Sequence, residues 1–358
     1  MRSMEVIAIS ALLILLVLLF RIAPGIAAEK TGGGATFFYH DLDFGSEAEF
    51  NPLSSFVNYS LDTLQLSDNF DFHDLEHRFR LVMKHLGDPQ SAIDESGGFN
   101  EFVNRQILPI DFDNLRDSKE MIPNYALHLL GGGLVFRKNA EWLRAHDYSH
   151  PWLSAAVLSM GAEVLQEVIE KKSTKADDEV ADVMIFRPVG MILFGNESIA
   201  RFFAEDLGML EWANQPMYRV HGGYLSNLGE NYVVRPSCFA YRQHRPFVYF
   251  GMTTLVGTSY LIDATDSVSW GAGGAMVDAA RNHIRIRSSF GLFYDRNDSL
   301  LASAIVNSTE HLVLRVNVYP GVIGRGLRSP GIFVGLGDEG DFMAGLTMSL
   351  LPAGLAAN

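Results

Sequence analysis

The sequence predicts an α+β protein: a helical N-terminal region, then a C-terminal antiparallel β-sheet or a small β-barrel of about eight strands. Three observations predict it. Apolar residues recur at helical spacing up to about residue 212. From about residue 217 the repeat shortens to two residues, the period of a strand. The charge pattern changes along the same line: every lysine lies at or before Lys175, and beyond Asn231 arginine replaces it.

The N-terminus reads as an export signal. Arg2 precedes an apolar run over 6–20, and Arg21, Pro24, Gly25, Ile26, Ala27 and Ala28 follow. A basic start, an apolar core and small residues at the end predict a signal peptide over 1–27, cleaved after Ala27. The alternative is an uncleaved anchor, for which the run is short against the roughly 20 residues of a bilayer span. No cysteine closes the run, which excludes lipoprotein attachment. The expected destination is the periplasm or the outer membrane.

Composition removes several classes. A net charge of -14 over 358 residues disfavours a nucleic-acid partner, because phosphate binding needs a basic face. The single cysteine, Cys238, excludes an internal disulfide and any multi-cysteine metal site.

Residues 28–122 are acidic and predict a wrapping segment of short helices, one of them over 75–86. Residues 123–214 predict a helical core. Pro123 suits a first helical position, and 125–136 is apolar except for His128 and three glycines. A second helix starts at His150-Pro151, with Leu153, Val157, Met160, Val164 and Val168 as its apolar stripe. Glu163, Glu167 and Glu170 share another side. A third helix covers 178–194 with a disturbance at Pro188, and a fourth covers 197–212.

Residues 215–351 predict the antiparallel β region. Over 283–294, Ile284, Ile286, Phe290, Leu292 and Tyr294 face one way, and His283, Arg285, Arg287 and Ser289 the other. Leu312, Leu314, Val316 and Val318 alternate with Arg315 and Asn317, and Phe342, Leu346 and Met348 with Gly345 and Thr347. Polar connectors at 295–298, 307–310 and 337–340 are hairpin signals. The alternation suits an outer-membrane barrel with a polar interior. It equally suits a soluble sheet packed by its apolar face on the helices.

The chemistry-bearing residues gather in the helical core. His128 lies in an apolar helix, Glu163 and Glu167 are one turn apart, and Asp182 and Arg187 follow on the next helix. Buried ionised groups are costly unless paired, so these should meet. One reading is hydrolysis, with His128 as base and Glu163, Glu167 or Asp182 orienting it. Another is a metal held by His128 and the glutamates. The third is a structural network neutralised by Arg187 and His128. No H-E-x-x-H, G-x-S-x-G or phosphate-loop motif accompanies them, and no cofactor is implied. Gly131-Gly132-Gly133 lies inside the helix and predicts close packing. Arg285, Arg287 and Arg315 suggest a face for an anionic envelope ligand.

Over about residues 120–195 the chain resembles an uncharacterised bacterial cell-envelope family, domain of unknown function 3943. The residues that carry this are Asn124-Tyr125-Ala126-Leu127-His128, Gly131-Gly132, the Glu163/Glu167 helix, and Asp182 leading to Pro188 and Gly190. The resemblance implies an envelope protein and no particular activity. The function expected is therefore that of an exported, non-catalytic envelope protein associated with the outer membrane or other envelope components. An envelope lipid or cell-wall hydrolase and an anion-binding periplasmic module are the alternatives.

Overall fold

The computed structural model describes residues 35–66, 74–108, 122–170, 177–277, 285–324, 329–349 and 351–357. The signal-peptide reading lies outside them. Short helices α1 (Gly45–Glu49), α2 (Pro52–Ser60), α3 (Leu75–Gly87), α4 (Pro89–Glu95) and α5 (Phe99–Phe102) form the acidic segment. Helix α2 starts where a capping box starts it. The Asn51 side chain accepts from the Leu53 and Ser54 amides, and the Ser54 hydroxyl accepts from the Asn51 amide.

The helical core has three long pieces. A π-helical stretch, Ile122–Gly131, runs straight into α6 (Gly132–Ala145), and α7 is Pro151–Glu170. Helix α8 (Asp178–Ala181) continues as the π-turn Asp182–Phe186 into α9 (Arg187–Gly195). Pro188 has no amide hydrogen to donate, and the π-turn just before it carries the helix past the proline without a stop. Helix α6 packs on α7 and α9, and α2 packs on α7. The fourth predicted helix is shorter than expected. It comprises α10 (Glu197–Arg201) and a π-turn, Phe202–Asp206. Gly208 then takes φ +57, and a Cβ there would lie 2.6 Å from the Arg235 carbonyl oxygen. The chain turns into a strand instead, so Leu210 and Trp212 serve the sheet.

Among the described residues the sheet has 13 strands rather than about eight. In chain order they are β1 (Met209–Glu211), β2 (Met217–Arg219), β3 (Tyr224–Ser226), β4 (Tyr232–Val234), β5 (His244–Phe250), β6 (Thr253–Leu261), β7 (Asp266–Val277), β8 (Arg285–Arg296), β9 (Ser299–Val306), β10 (Leu312–Val318), β11 (Pro330–Gly337), β12 (Phe342–Met348) and β13 (Gly354–Ala357). Their spatial order is β1-β4-β5-β6-β7-β8-β9-β10-β11-β12-β13-β2-β3. All described pairs are antiparallel except β13 with β2. The sheet is not closed among the described residues, which corrects the barrel expectation. The last strand meets β2, and β1 and β3 are left as edges of three residues each.

The sheet nevertheless curls. β1 and β2 stand near opposite ends of the order, yet only residues 212–216 join them. That segment crosses the interior beside 227–231. The Trp212 and Asn214 amides donate to the Asn231 and Gly229 carbonyls, and the Tyr319 hydroxyl donates to Ala213 O at 2.7 Å. The Gln215 side chain donates to Val318 O and Ile332 O of β10 and β11. The Asn227 side chain bridges Gln215 O and Asn317 Oδ1, both at 2.7 Å.

Register shows which face is inside. Directly paired residues share a face. One row reads Phe247, Gly257, Gly271, Gly291, Ile305, Arg315, Gly335, Met343. A parallel row holds Ser259, Ser269, Phe293, Ser303, Asn317, Phe333 and Gly345. Both face the covered interior, where Arg315 and Asn317 are buried among the aromatics. Three rows alternate with these, face outward and are largely apolar. The first is Val234, Val248, Val256, Ala272, Phe290, Val306, Leu314, Leu336, Phe342. The second is Pro246, Thr258, Trp270, Leu292, Ala304, Val316, Val334, Ala344, Ala357. The third is His244, Tyr260, Val268, Tyr294, Ala302, Val318, Ile332, Leu346, Leu355, Tyr218, Leu225. Val256, Phe290, Leu292, Phe342, Leu346 and Leu355 are exposed, and Ile286 is 75% exposed. The apolar rows read from the sequence face outward, and the covered side mixes glycine, serine, Arg315 and Asn317 with Phe247, Phe293, Ile305, Phe333 and Met343.

Candidate functional site: a sealed charged cluster

The predicted core residues do converge. His128 comes from the π-helical stretch before α6, Glu163 from α7, Asp182 from the π-turn after α8, and Arg187 from the start of α9. His128 Nδ1 lies 2.8 Å from Glu163 Oε1, and His128 Nε2 lies 3.9 Å from Asp182 Oδ2. Arg187 Nε donates to Glu163 Oε2 at 2.6 Å. Tyr59, from α2, donates to the same oxygen at 2.8 Å and stands 3.2 Å from His128 Nδ1. The Arg187 guanidinium stacks over the Tyr59 ring at 3.9 Å. Glu167 is buried one turn beyond Glu163, on the inner face of α7.

The glycines make this geometry possible. A Cβ on Gly132 would sit 2.1 Å from Arg187 Nη1, and one on Gly131 would sit 2.4 Å from the Tyr232 ring. A Cβ on Gly190 would meet Leu129 O at 2.4 Å. The run therefore clears space for a guanidinium, a phenol and a neighbouring helix, not for a phosphate.

Electrostatics follow from burial and pairing. Burial alone would raise Glu163, but Arg187 and then His128 outweigh it and lower the carboxyl to about 2. Burial alone would depress His128. The Asp182 and Glu163 carboxylates outweigh it and hold the imidazole up to about 10. Asp182 and Glu167 are pushed up, first by burial. The arrangement is an ionised Glu163 between two cations, with Asp182 and Glu167 buried beside it.

The cluster is closed to solvent. Glu163 is 0% exposed, and His128, Glu167 and Asp182 are buried. The cavity beside it, lined by Tyr59, Asn139, Ser159 and Arg187 among others, measures about 10 Å³, room for about one water. Among the described residues no group of three or more His, Cys, Asp or Glu is placed to hold a metal ion.

The three arginines of the β region do not gather. Arg285 begins β8 and is exposed. Arg287 donates to Asp338 at 3.0 Å. Arg315 is buried and donates to Thr309 and Glu310. Its level in the sheet is that of Gly291, through Ile305, four residues along from Arg287 or about 13 Å. The Arg-lined binding face read from sequence is therefore corrected: Arg287 is paired with Asp338 near the surface and Arg315 is buried with Glu310.

Other ionic joints gave no signal in the sequence. Lys138 Nζ lies 2.5 Å from Glu47 and 2.7 Å from Glu211, tying α6 to α1 and β1. Glu141 accepts from the amides of Phe37, Phe38 and Tyr39 and holds the first described residues on the core. Tyr59 was also missed, because nothing near it in the chain marks it.

Comparison with known proteins finds no matching family model, curated protein or solved structure.

Proposed function

We propose that this chain is an exported bacterial cell-envelope protein without catalytic activity, held at the outer membrane by the outward face of its sheet. The likeness of residues 120–195 to domain of unknown function 3943 belongs to the same proposal. The observation that carries it is the outward side of the sheet: three rows with no Asp, Glu, Lys or Arg, over a covered face where Phe247, Phe293, Ile305, Phe333 and Met343 lie among glycines, serines, Arg315 and Asn317. A contiguous exposed apolar face of this extent marks an interaction surface. The sealed charged cluster supports a structural role for His128, since a catalytic base must reach its substrate.

Fractionation of the producing cell tests the reading. The protein should remain with outer-membrane fragments through a high-salt wash. Recovery solely in the soluble periplasm after osmotic shock overturns it. His128→Gln separates the two roles of the cluster: it should lower Tm with no change in hydrolysis of envelope lipid or cell-wall fragments. Loss of such hydrolysis with Tm intact would restore the enzyme reading.

A further inference from the structure

The outward rows also carry a level. Along β8 the outward positions run Ile286, Ser288, Phe290, Leu292 and Tyr294. The next outward residue is Arg296, paired with Asp266 at 2.7 Å. Tyr294 shares its row with Tyr260 and Tyr218. The row at this level holds three tyrosines among eleven residues, and on the β7–β8 hairpin charge begins one step beyond, at Asp266 and Arg296. From Ile286 to Tyr294 the strand climbs about 27 Å before any tilt. Tyrosine is enriched where a bilayer meets water, because its ring is apolar and its hydroxyl is polar.

Curvature says what can cover this face. Residues 212–216 and 227–231 fill the inside and touch strands as far apart as β4 and β11. The apolar rows therefore lie on the convex side and turn in many directions. A docked protein would cover one flank and would bring a polar rim. These rows have no charged rim between strands. A fluid hydrocarbon phase covers a convex face all round.

We infer that the outward rows through Val256, Leu292 and Leu336 contact phospholipid acyl chains, with Tyr218, Tyr260 and Tyr294 at the headgroup boundary. This rests on the membrane reading above and deepens it. The edges suit it: β1 and β3 are three residues long and pack against helical segments, so few sheet-edge groups are left to lipid.

The test uses the full chain in vesicles of phosphatidylethanolamine and phosphatidylglycerol. With Cys238→Ser as background, single cysteines replace exposed or half-exposed alanines, where the added sulfur is small: Ala272 and Ala344 in the rows, Ala302 in the tyrosine row, Ala264 in the β6–β7 turn. Each carries an environment-sensitive dye. Labels at 272 and 344 should be quenched several-fold more by mid-chain nitroxide lipids than by iodide in water. The label at 302 should respond most to nitroxides near the headgroups, and the one at 264 to iodide. If the protein floats with the vesicles but 272 and 344 answer to iodide, this inference fails while membrane association stands. If it does not float at all, both fail. Labels shielded from both quenchers, in a protein that crosslinks as a dimer, would show a second copy on this face and also overturn it.

Discussion

The helical core and the sheet both bury polar groups among apolar ones, yet they meet the cost of that in opposite ways. In the helices the buried polar groups are full charges: Glu163 between His128 and Arg187, and Lys138 between Glu47 and Glu211. Each is tolerable only because its partner lies within hydrogen-bond reach. In the sheet the inner face is mostly glycine and serine around a few aromatics, with Arg315 and Asn317 tied to Thr309, Glu310, Gln215 and Asn227. Small residues there leave room for the crossing strap. In both regions, apolar side chains are exposed on elements that bury polar ones. Helix α7 exposes Leu153 and Val157 while burying Glu163 and Glu167, as β8 exposes Ile286 and Phe290 while burying Ser289.

The comparison breaks most sharply at Glu163. Glu163→Gln leaves Arg187 buried without a counter-charge and should cost about 3–5 kcal/mol in chemical denaturation. A loss under 1 kcal/mol would mean that the cluster does not hold the helices. The sheet counterpart is Val256→Arg. It should cost about 2–4 kcal/mol in vesicles if the rows face lipid, and within about 0.5 kcal/mol if they face water. Next comes Gly132→Ala. Its Cβ would press on the Arg187 guanidinium, and the overpacking should cost about 1–3 kcal/mol. Gly87→Ala, where nothing lies near the added carbon, is the matched control.

The cluster also predicts a pH dependence. His128 is raised in the folded state, so its stabilisation is complete below about 6.5 and disappears as pH climbs through about 10. Asp182 is raised too, to about 8, so its share falls away as pH climbs from about 3.8 through about 8, and Glu167 shifts in the same direction. Glu163 is lowered, so its share disappears as pH falls through about 2. Tm should therefore decline from pH 7 to 10, and Asp182→Asn should flatten that decline. An unchanged slope in the variant would remove Asp182 from the network. The smallest effect belongs to Arg287→Gln. Its pair with Asp338 is partly exposed and should be worth under about 1 kcal/mol.

Much of this was legible. The E-x-x-x-E spacing put Glu163 and Glu167 on one face; the hairpin signal at 307–310 falls between β9 and β10, and those at 295–298 and 337–340 begin in the last residues of β8 and β11 and end in the turns. Asn297 and Asp298 both take positive φ, as a two-residue hairpin requires. The strand count fell short because β1 and β13 are too brief to show a period, and β9 and β11 mix small and apolar residues without a polar alternate. The fourth helix was read too long because Leu207 and Leu210 continue a helical spacing that Gly208 ends. Tyr59 and Lys138 acquire partners about a hundred or more residues away in one direction, and no local pattern records that.

By itself the sequence determined the two periods, and so which side chains share a face. That is local: backbone geometry alone sends every second residue of a strand, and every third or fourth of a helix, the same way. Only the tertiary structure decided which of the two faces is covered. That choice depends on what lies across the gap, here a strap and a set of helices carrying polar partners. Periodicity is unchanged when inside and outside are exchanged, so no reading of spacing could make it.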